Sequence, residues 1–248
     1  MNHHILNHQK EQNRLLKSLF KGIFMKKFNL TSEEMEDVEN AVKKAEQNTS
    51  GEIATAIIKE SSDYAFYEII VALIAGFIAY MICLYLYTPI SVWLESLFWE
   101  YTAIYSAAFL GTAAIISIGT VYLLANIPGA DRFIVPRRII SKNVKQRAVN
   151  YFSEAGLFNT RDRSGILIFI SYREKRIELL ADSGISALIS EEKWKDIVDT
   201  LVRDIKKKET GRGLVKAIAQ CGKLLAEHFP IKDDDTNELN DGINILED

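Results

Sequence analysis

Cysteine is scarce: Cys83 and Cys221 are the two in 248 residues. Neither stands in a metal-type spacing and one distant pair makes no disulfide framework, so both thiols are read as reduced and inert. Excess charge of one sign is lacking too. A net charge of −3 leaves no polyanion-binding footprint, which argues against a nucleic-acid partner. The chain has no phosphate loop, nucleophile elbow, zinc signature or dinucleotide fingerprint. Its first residues lack the short apolar core and small-residue cleavage site of a secretory signal, so targeting falls to a later segment.

The most informative absence is local. Residues 69–87 and 101–125 carry no charged side chain. Each run is close to the roughly 20 residues of helix that cross a bilayer core, and both exceed ordinary core helices. They are read as a two-pass transmembrane hairpin, the alternative being a buried helical pair in a large soluble protein. The intervening residues 88–100 contain Pro89, Glu95 and Glu100 but no Lys or Arg. Lys26, Lys27, Lys43 and Lys44 precede the hairpin, and Arg132, Arg137, Arg138 and Lys142 follow it. By the positive-inside rule both chain ends are cytoplasmic and the short loop faces outward. Tyr85, Tyr87, Trp93, Trp99 and Tyr101 form an aromatic belt at that outer turn. Small residues at four-residue spacing, Ala72 with Gly76, Ala79 with Cys83 and Ala107 with Gly111, let two helices approach closely in lipid. Glu68 falls at the cytoplasmic edge, in reach of water, and is read as interfacial.

Soluble segments flank the hairpin. Residues 1–28 set Leu15, Leu16, Leu19, Phe20 and Ile23 against Lys10, Arg14, Lys17 and Lys21. That is a basic amphipathic helix, suited to an anionic leaflet or to packing on the protein itself, the further alternative being a frayed leader. Residues 29–64 begin with the capping box Thr31-Ser32-Glu33-Glu34 and a helix whose apolar face is Met35, Val38, Val42 and Ala45. A turn at 49–52 leads to a β-run, residues 53–58. Residues 131–230 hold a helical stripe of Val144, Ala148, Tyr151, Phe152 and Ala155, which Gly156 terminates in the left-handed conformation. A central-strand run at 165–171, a return strand at 176–181 and two further helices follow. Residues 231–248 are an acidic, turn-rich tail, expected to be loosely ordered. Neither soluble part buries its apolar face alone, so 29–64 and 131–230 are expected to build one α/β domain. That domain is a small mixed β-sheet flanked by helices, into which the hairpin at 66–125 is inserted.

Several stretches carry a family pattern in order: Thr49-Ser50-Gly51-Glu52-Ile53, then Arg147-Ala148, Tyr151-Phe152 and Gly156-Leu157. Thr160-Arg161-Asp162-Arg163-Ser164-Gly165 opens the run to Ser171, Arg176-Ile177-Glu178-Leu179-Leu180-Ala181-Asp182-Ser183-Gly184-Ile185 follows, and Trp194, His228-Phe229-Pro230 and Asn237-Glu238-Leu239 complete it. Together they resemble the TPM domain family, in its membrane-protein branch, over roughly residues 30–60 and 140–241. The resemblance implies an α/β sandwich on a small mixed sheet and, for this branch, a bacterial inner-membrane location. Some soluble plant members are described as acid phosphatases and others as photosystem repair or assembly factors. The internal hairpin here stands where secreted members carry a signal peptide and a C-terminal anchor. An interaction or assembly factor at the membrane, with the bilayer and a protein as partners, is therefore the expectation; a divalent-metal-dependent phosphatase is the alternative.

With the first two strands parallel and the third antiparallel, one sheet edge gathers Glu52, the turn Asp162-Arg163-Ser164 and Asp182. Three carboxylates on one edge suit a hard divalent cation, calcium or magnesium, and Arg161 or Arg163 suits a phosphate. In the competing reading Asp182-Ser183-Gly184 caps the next segment and Glu52 pairs with Arg163 at the surface. Residues 233–237 are no EF-hand, because Glu238 stands where glycine is needed and Asn244 where a bidentate glutamate is needed. His228 suits a helix C-terminus. Gly211-Arg212-Gly213 before a helix is suited to an anion, or is simply a helix entry.

Overall fold

The computed structural model describes residues 30–127, 129–160, 162–231, 239 and 241–246. The basic segment 1–28, Arg161 and most of the acidic stretch 232–240 lie outside the described residues. The chain divides into two units, Met1–Ser61 with Asn143–Asp248, and Ser62–Lys142. In chain order the elements are α1 (Ser32–Glu46), β1 (Ile53–Ile58), α2 (Ala65–Tyr85), α3 (Tyr87–Leu97), α4 (Ala103–Ala125), α5 (Asp131–Ile134) and α6 (Arg137–Glu154). They continue with β2 (Ile166–Ser171), β3 (Arg176–Ala181), α7 (Ser183–Ser186), α8 (Glu191–Lys206), α9 (Thr210–His228) and β4 (Ile243–Leu246).

The first unit is built on a mixed four-stranded sheet of order β3-β2-β1-β4, flanked by helices as the sequence pattern predicts. β1 runs parallel to β2 and β4, and β2 runs antiparallel to β3. β4 corrects the expectation of a loose tail. Ile243 and Ile245 alternate toward the core, and pairing with β1 buries an apolar edge that the surrounding acidic residues conceal in the sequence. On one sheet face Ile53, Ile57, Ile166, Ile168 and Ile170 pack with Val38, Val42, Ile197, Leu201, Leu214 and Ile218 of α1, α8 and α9. Fully burying each such side chain stabilises the fold by about 1.5–3 kcal/mol.

The other face is also dry, with Ala56, Leu167 and Phe169 fully buried. α6 supplies the matching buried stripe, Val144, Ala148 and Phe152, and its Lys145 acts on Glu178 of β3, the cross-strand neighbour of Phe169. α6 begins earlier than the stripe alone predicts, and Gly156 closes this region at φ 78, the expected left-handed stop.

α1 starts with the predicted capping box: Glu34 N–H donates to Thr31 Oγ1 at 3.1 Å and Thr31 N–H to Glu34 Oε2 at 2.8 Å. A Cβ at Gly211 would lie 2.6 Å from Glu34 Cβ, and one at Gly222 would lie 2.6 Å from Ala45 Cβ. Both pairs advance eleven residues in the same sense, so α1 and α9 run parallel and nearly touch. Gly211 and Gly213 lie inside α9, and helix contact accounts for them: Gly213 faces Asp204 Cβ, where a Cβ would be 2.9 Å away.

The second unit contains two helices, α2 and α4, long and apolar enough to cross a membrane. They pack on each other through Ala72 and Gly76; a Cβ on Gly76 would overlap Ile118 Cγ1 and lie 3.3 Å from the Ala114 carbonyl. Ala107 and Gly111 do not join this contact: Ala107 is exposed and a Cβ on Gly111 meets nothing within 4 Å. The outer connection, predicted as a loop, is helix α3. Pro89 falls in its first turn, where the missing N–H breaks no helical bond. Stacked Phe98 and Tyr105, 4.6 Å apart, join its end to α4, and Trp93 meets Phe109 edge-on at 6.0 Å. Glu68 is buried, not open to water, and lies in the first turn of α2, where the helix dipole favours an anion.

Candidate functional site

At the start of β1 and β2 the ladder continues one row beyond the strands. Ile166 N–H donates to the Glu52 carbonyl at 2.8 Å and Asp182 N–H donates to the Gly165 carbonyl at 2.9 Å. Glu52, Gly165 and Asp182 therefore occupy neighbouring positions on three strands, and the middle one has no side chain. The expected carboxylates Glu52 and Asp182 flank that glycine and are both buried, 7% and 3% exposed.

Two turns are stitched beside this row. Ser50 Oγ donates to Asp162 Oδ2 at 3.1 Å, and Ser164 Oγ donates to the Ser50 carbonyl at 3.2 Å. Arg163 sits at φ 53, a conformation costly for a side-chain-bearing residue. A Cβ on Gly184 would fall 2.7 Å from the Arg163 carbonyl and 2.8 Å from that of Asp162. Only glycine lets the start of α7 lie against the 162–164 turn. The sheet edge thus gathers the three elements that bear Glu52, Asp162 and Asp182.

Asp182 does cap α7, its Oδ1 accepting from Ser183 N–H at 2.6 Å. Its Oδ2 is buried and has no hydrogen-bond donor among the described residues. A buried carboxylate oxygen without a donor is expensive and is the kind of atom a cation relieves. Among the described residues no three His, Cys, Asp or Glu side chains form a group able to hold a metal by themselves. A cation at this edge would retain water ligands, as magnesium commonly does with one or two carboxylates. Arg163 makes no ion pair among the described residues, so the surface pairing with Glu52 is not formed.

Two features were not read from the sequence. At the far end of the parallel strands, Ser171 Oγ donates to Glu174, Ser61 N–H donates to Glu174 Oε1 at 2.8 Å, and Ser61 Oγ donates to Ser171 Oγ at 2.9 Å. This buried cluster ties the chain leaving β1 to the β2–β3 turn. The second feature is a groove of about 950 Å³ along the α1–α9 seam. Ala41, Ala219 and Ala226 line it together with Lys44, Lys223 and Asp37. Its signal lay in the small residues on the outer sides of two predicted helices. Cys221 offers no nucleophile, because burial pushes its thiol up to about 12. Burial also raises the Glu178 carboxyl above its ordinary range, against the opposing pull of Arg176 and Lys145.

The family model for the TPM domain matches residues 132–224. The matched stretch holds β2, β3, α7, α8 and most of α9, while β1 and β4, which complete the sheet, lie outside it. The NMR structure of BA42 protein from the psychrophilic bacterium Bizionia argentinensis is similar over 88% of this chain and 95% of its own, with a TM-score of 0.51 and 21% identity. At that identity the likeness is one of fold. No curated protein matches the sequence.

Proposed function

We propose, from the match of residues 132–224 to the TPM domain and the two apolar helices that precede it in the chain, that the protein is a membrane-anchored interaction or assembly factor with both termini in the cytoplasm. One observation carries the reading: β1 and β2 pair in register on either side of α2 and α4. Strands that pair must share a compartment, and two crossings return the chain to the side it left. The cations Arg132, Arg137, Arg138 and Lys142 at the open end, against Glu95 and Glu100 at the closed end, favour the cytoplasm for that side. The working surface is the α1–α9 groove. Lys44, Arg212, Lys216 and Lys223 outnumber Glu34 and Asp37 along it, which suits a helical segment with an apolar stripe and acidic flanks.

Topology is tested by single cysteines in a chain lacking Cys83 and Cys221. In intact cells an impermeant thiol reagent labels Ser96→Cys and spares Ser190→Cys; the reverse pattern overturns the orientation. The groove is tested by a photocrosslinker at Ala226 in the full chain. A partner whose crosslink disappears on Lys44→Glu with Lys223→Glu supports docking there, and an unchanged crosslink refutes it.

The unmatched Oδ2 of Asp182 favours a second reading, a divalent-metal-dependent phosphatase at the Glu52–Asp182 edge. Glu52, Asp162 and Asp182 would hold the cation, and Arg163 a phosphate, with Arg161 as the further candidate. A bound hard cation would supply charge neutralisation for a phosphoryl oxygen. Magnesium or calcium would then raise the melting temperature of the wild-type chain and not of Asp182→Asn, together with release of phosphate from an aryl ester. Absence of both effects in a folded sample removes this reading.

A further inference from the structure

All four cations of the Ser62–Lys142 unit lie between positions 132 and 142: Arg132, Arg137, Arg138 and Lys142. None of them makes an ion pair among the described residues. Arg137, Arg138 and Lys142 are exposed, and the Nε of Arg132 has no acceptor among the described residues. Unpaired cations alone describe any solvated surface. Here they accompany apolar side chains that are equally unpartnered.

Leu123, Leu124 and Ile127 are 72%, 57% and 54% exposed as α4 ends, and Phe133 of α5 is 90% exposed. Phe133 is not open because its segment lacks packing. Val135 and Ile140, which follow it, are 2% and 3% exposed, so the backbone is held while the ring is displayed. A displayed aromatic ring in the short helix that follows an apolar one, with arginines on both sides in the sequence, matches the boundary between acyl chains and phosphates. The closed end, with Glu95, Glu100 and no cation, offers no such match.

We infer that residues 123–127 and 132–142 form a binding collar for anionic phospholipids, in which Phe133 enters the acyl boundary and Arg132, Arg137, Arg138 and Lys142 engage phosphodiester headgroups. The inference rests on the membrane reading above and adds a preference among lipids to it. Each cation near an anionic leaflet strengthens association about fivefold at low ionic strength, and three together act on the order of a hundredfold.

The test places the full chain in nanodiscs of mixed phosphatidylglycerol and phosphatidylcholine and measures retained lipid by mass spectrometry. Wild type retains phosphatidylglycerol preferentially, and the preference falls with salt. Arg137→Gln with Arg138→Gln and Lys142→Gln lowers it by about tenfold or more while the protein stays resistant to carbonate extraction. Phe133→Ser, with every charge kept, weakens retention of both lipids. Equal retention of the two lipids by a carbonate-resistant wild type overturns the collar and leaves the membrane reading standing. Extraction of the wild type by carbonate overturns both. Displacement of the preference by millimolar glycerol phosphate assigns the cations to a soluble anion and also overturns the lipid collar.

Discussion

Phe169, on an inner strand of the sheet, has no exposed surface, whereas Phe77, in α2, leaves 62% of its ring open. The contrast extends to whole elements. All six residues of β2 are buried, but in α2 Glu68, Ala72 and Gly76 are the buried ones and the aliphatic side chains point outward. In the sheet unit, amphipathic helices choose one face for the core, and stability resides in side-chain packing. In the other unit, α2 lays its small residues Ala72 and Gly76 against α4, where Ile118 meets Gly76, and leaves its large apolar side chains to the surroundings. One chain thus follows two solvent rules, which supports reading the second set of surroundings as lipid.

The largest expected effect breaks the sheet unit at its seam. A chain of residues 143–248 lacks β1, the neighbour of both β2 and β4, and shows no cooperative thermal transition by circular dichroism. Adding residues 30–61 through a flexible linker restores one. A sharp transition from the shorter piece would mean that the two halves are separate domains.

The same substitution next separates the units. Phe169→Ala costs about 3–5 kcal/mol of unfolding free energy in denaturant titration, as an emptied core site does. Phe77→Ala, in the same detergent, changes it by less than about 0.5 kcal/mol. Equal costs would place Phe77 in a protein core and count against the lipid reading. A similar pair sharpens the comparison inside the apolar unit. Gly76→Val drives a methyl into Ile118 and destabilises the α2–α4 contact by about 1–3 kcal/mol. Gly111→Val, with open space around it, is close to neutral. Disulfide formation between reporter cysteines on the two helices reads both.

The smallest effect depends on pH. Burial raises the folded-state pKa of Glu178 above its ordinary value of 4.5. Its contribution to stability is therefore complete below pH 4.5 and is lost as pH rises through the folded value. Glu178→Gln removes that loss, so the variant gains stability relative to wild type at neutral pH and not at pH 4. A melting-temperature difference that did not change between those pH values would show that the carboxyl is not desolvated.

Legibility in the sequence followed the range of the interaction. The capping box at Thr31 and Glu34 and the stop at Gly156 were readable because each is settled within a few residues. The strands β1 and β3 were readable from composition and alternation. β4 was not, since four residues at the end of an acidic stretch become a strand only against β1, far away in the chain. α3 was masked by Pro89, whose tolerance depends on which turn of the helix it occupies. The placement of Glu52 and Asp182 at one end of the strands, on either side of Gly165, was legible, because it follows from strand register. The unmatched Oδ2 of Asp182 was not, because it depends on which donors the surrounding turns happen to present. The α1–α9 groove escaped for a similar reason: it follows from contacts at Gly211 and Gly222 between helices with opposite places in the sequence.

The clasp between Ser61 and Glu174 joins residues 113 positions apart, and that separation sets a clock. At about 5–20 residues per second, β1 leaves the ribosome roughly 6–23 s before its partner. On the membrane reading proposed above, it waits unpaired while α2 and α4 enter the bilayer. A hairpin inserted with one crossing missing would strand the early and late halves of the sheet in different compartments, and neither would find its partner. On the membrane reading, completion of the sheet therefore reports correct threading: only a chain whose two crossings return β2 to the side of β1 acquires the folded unit.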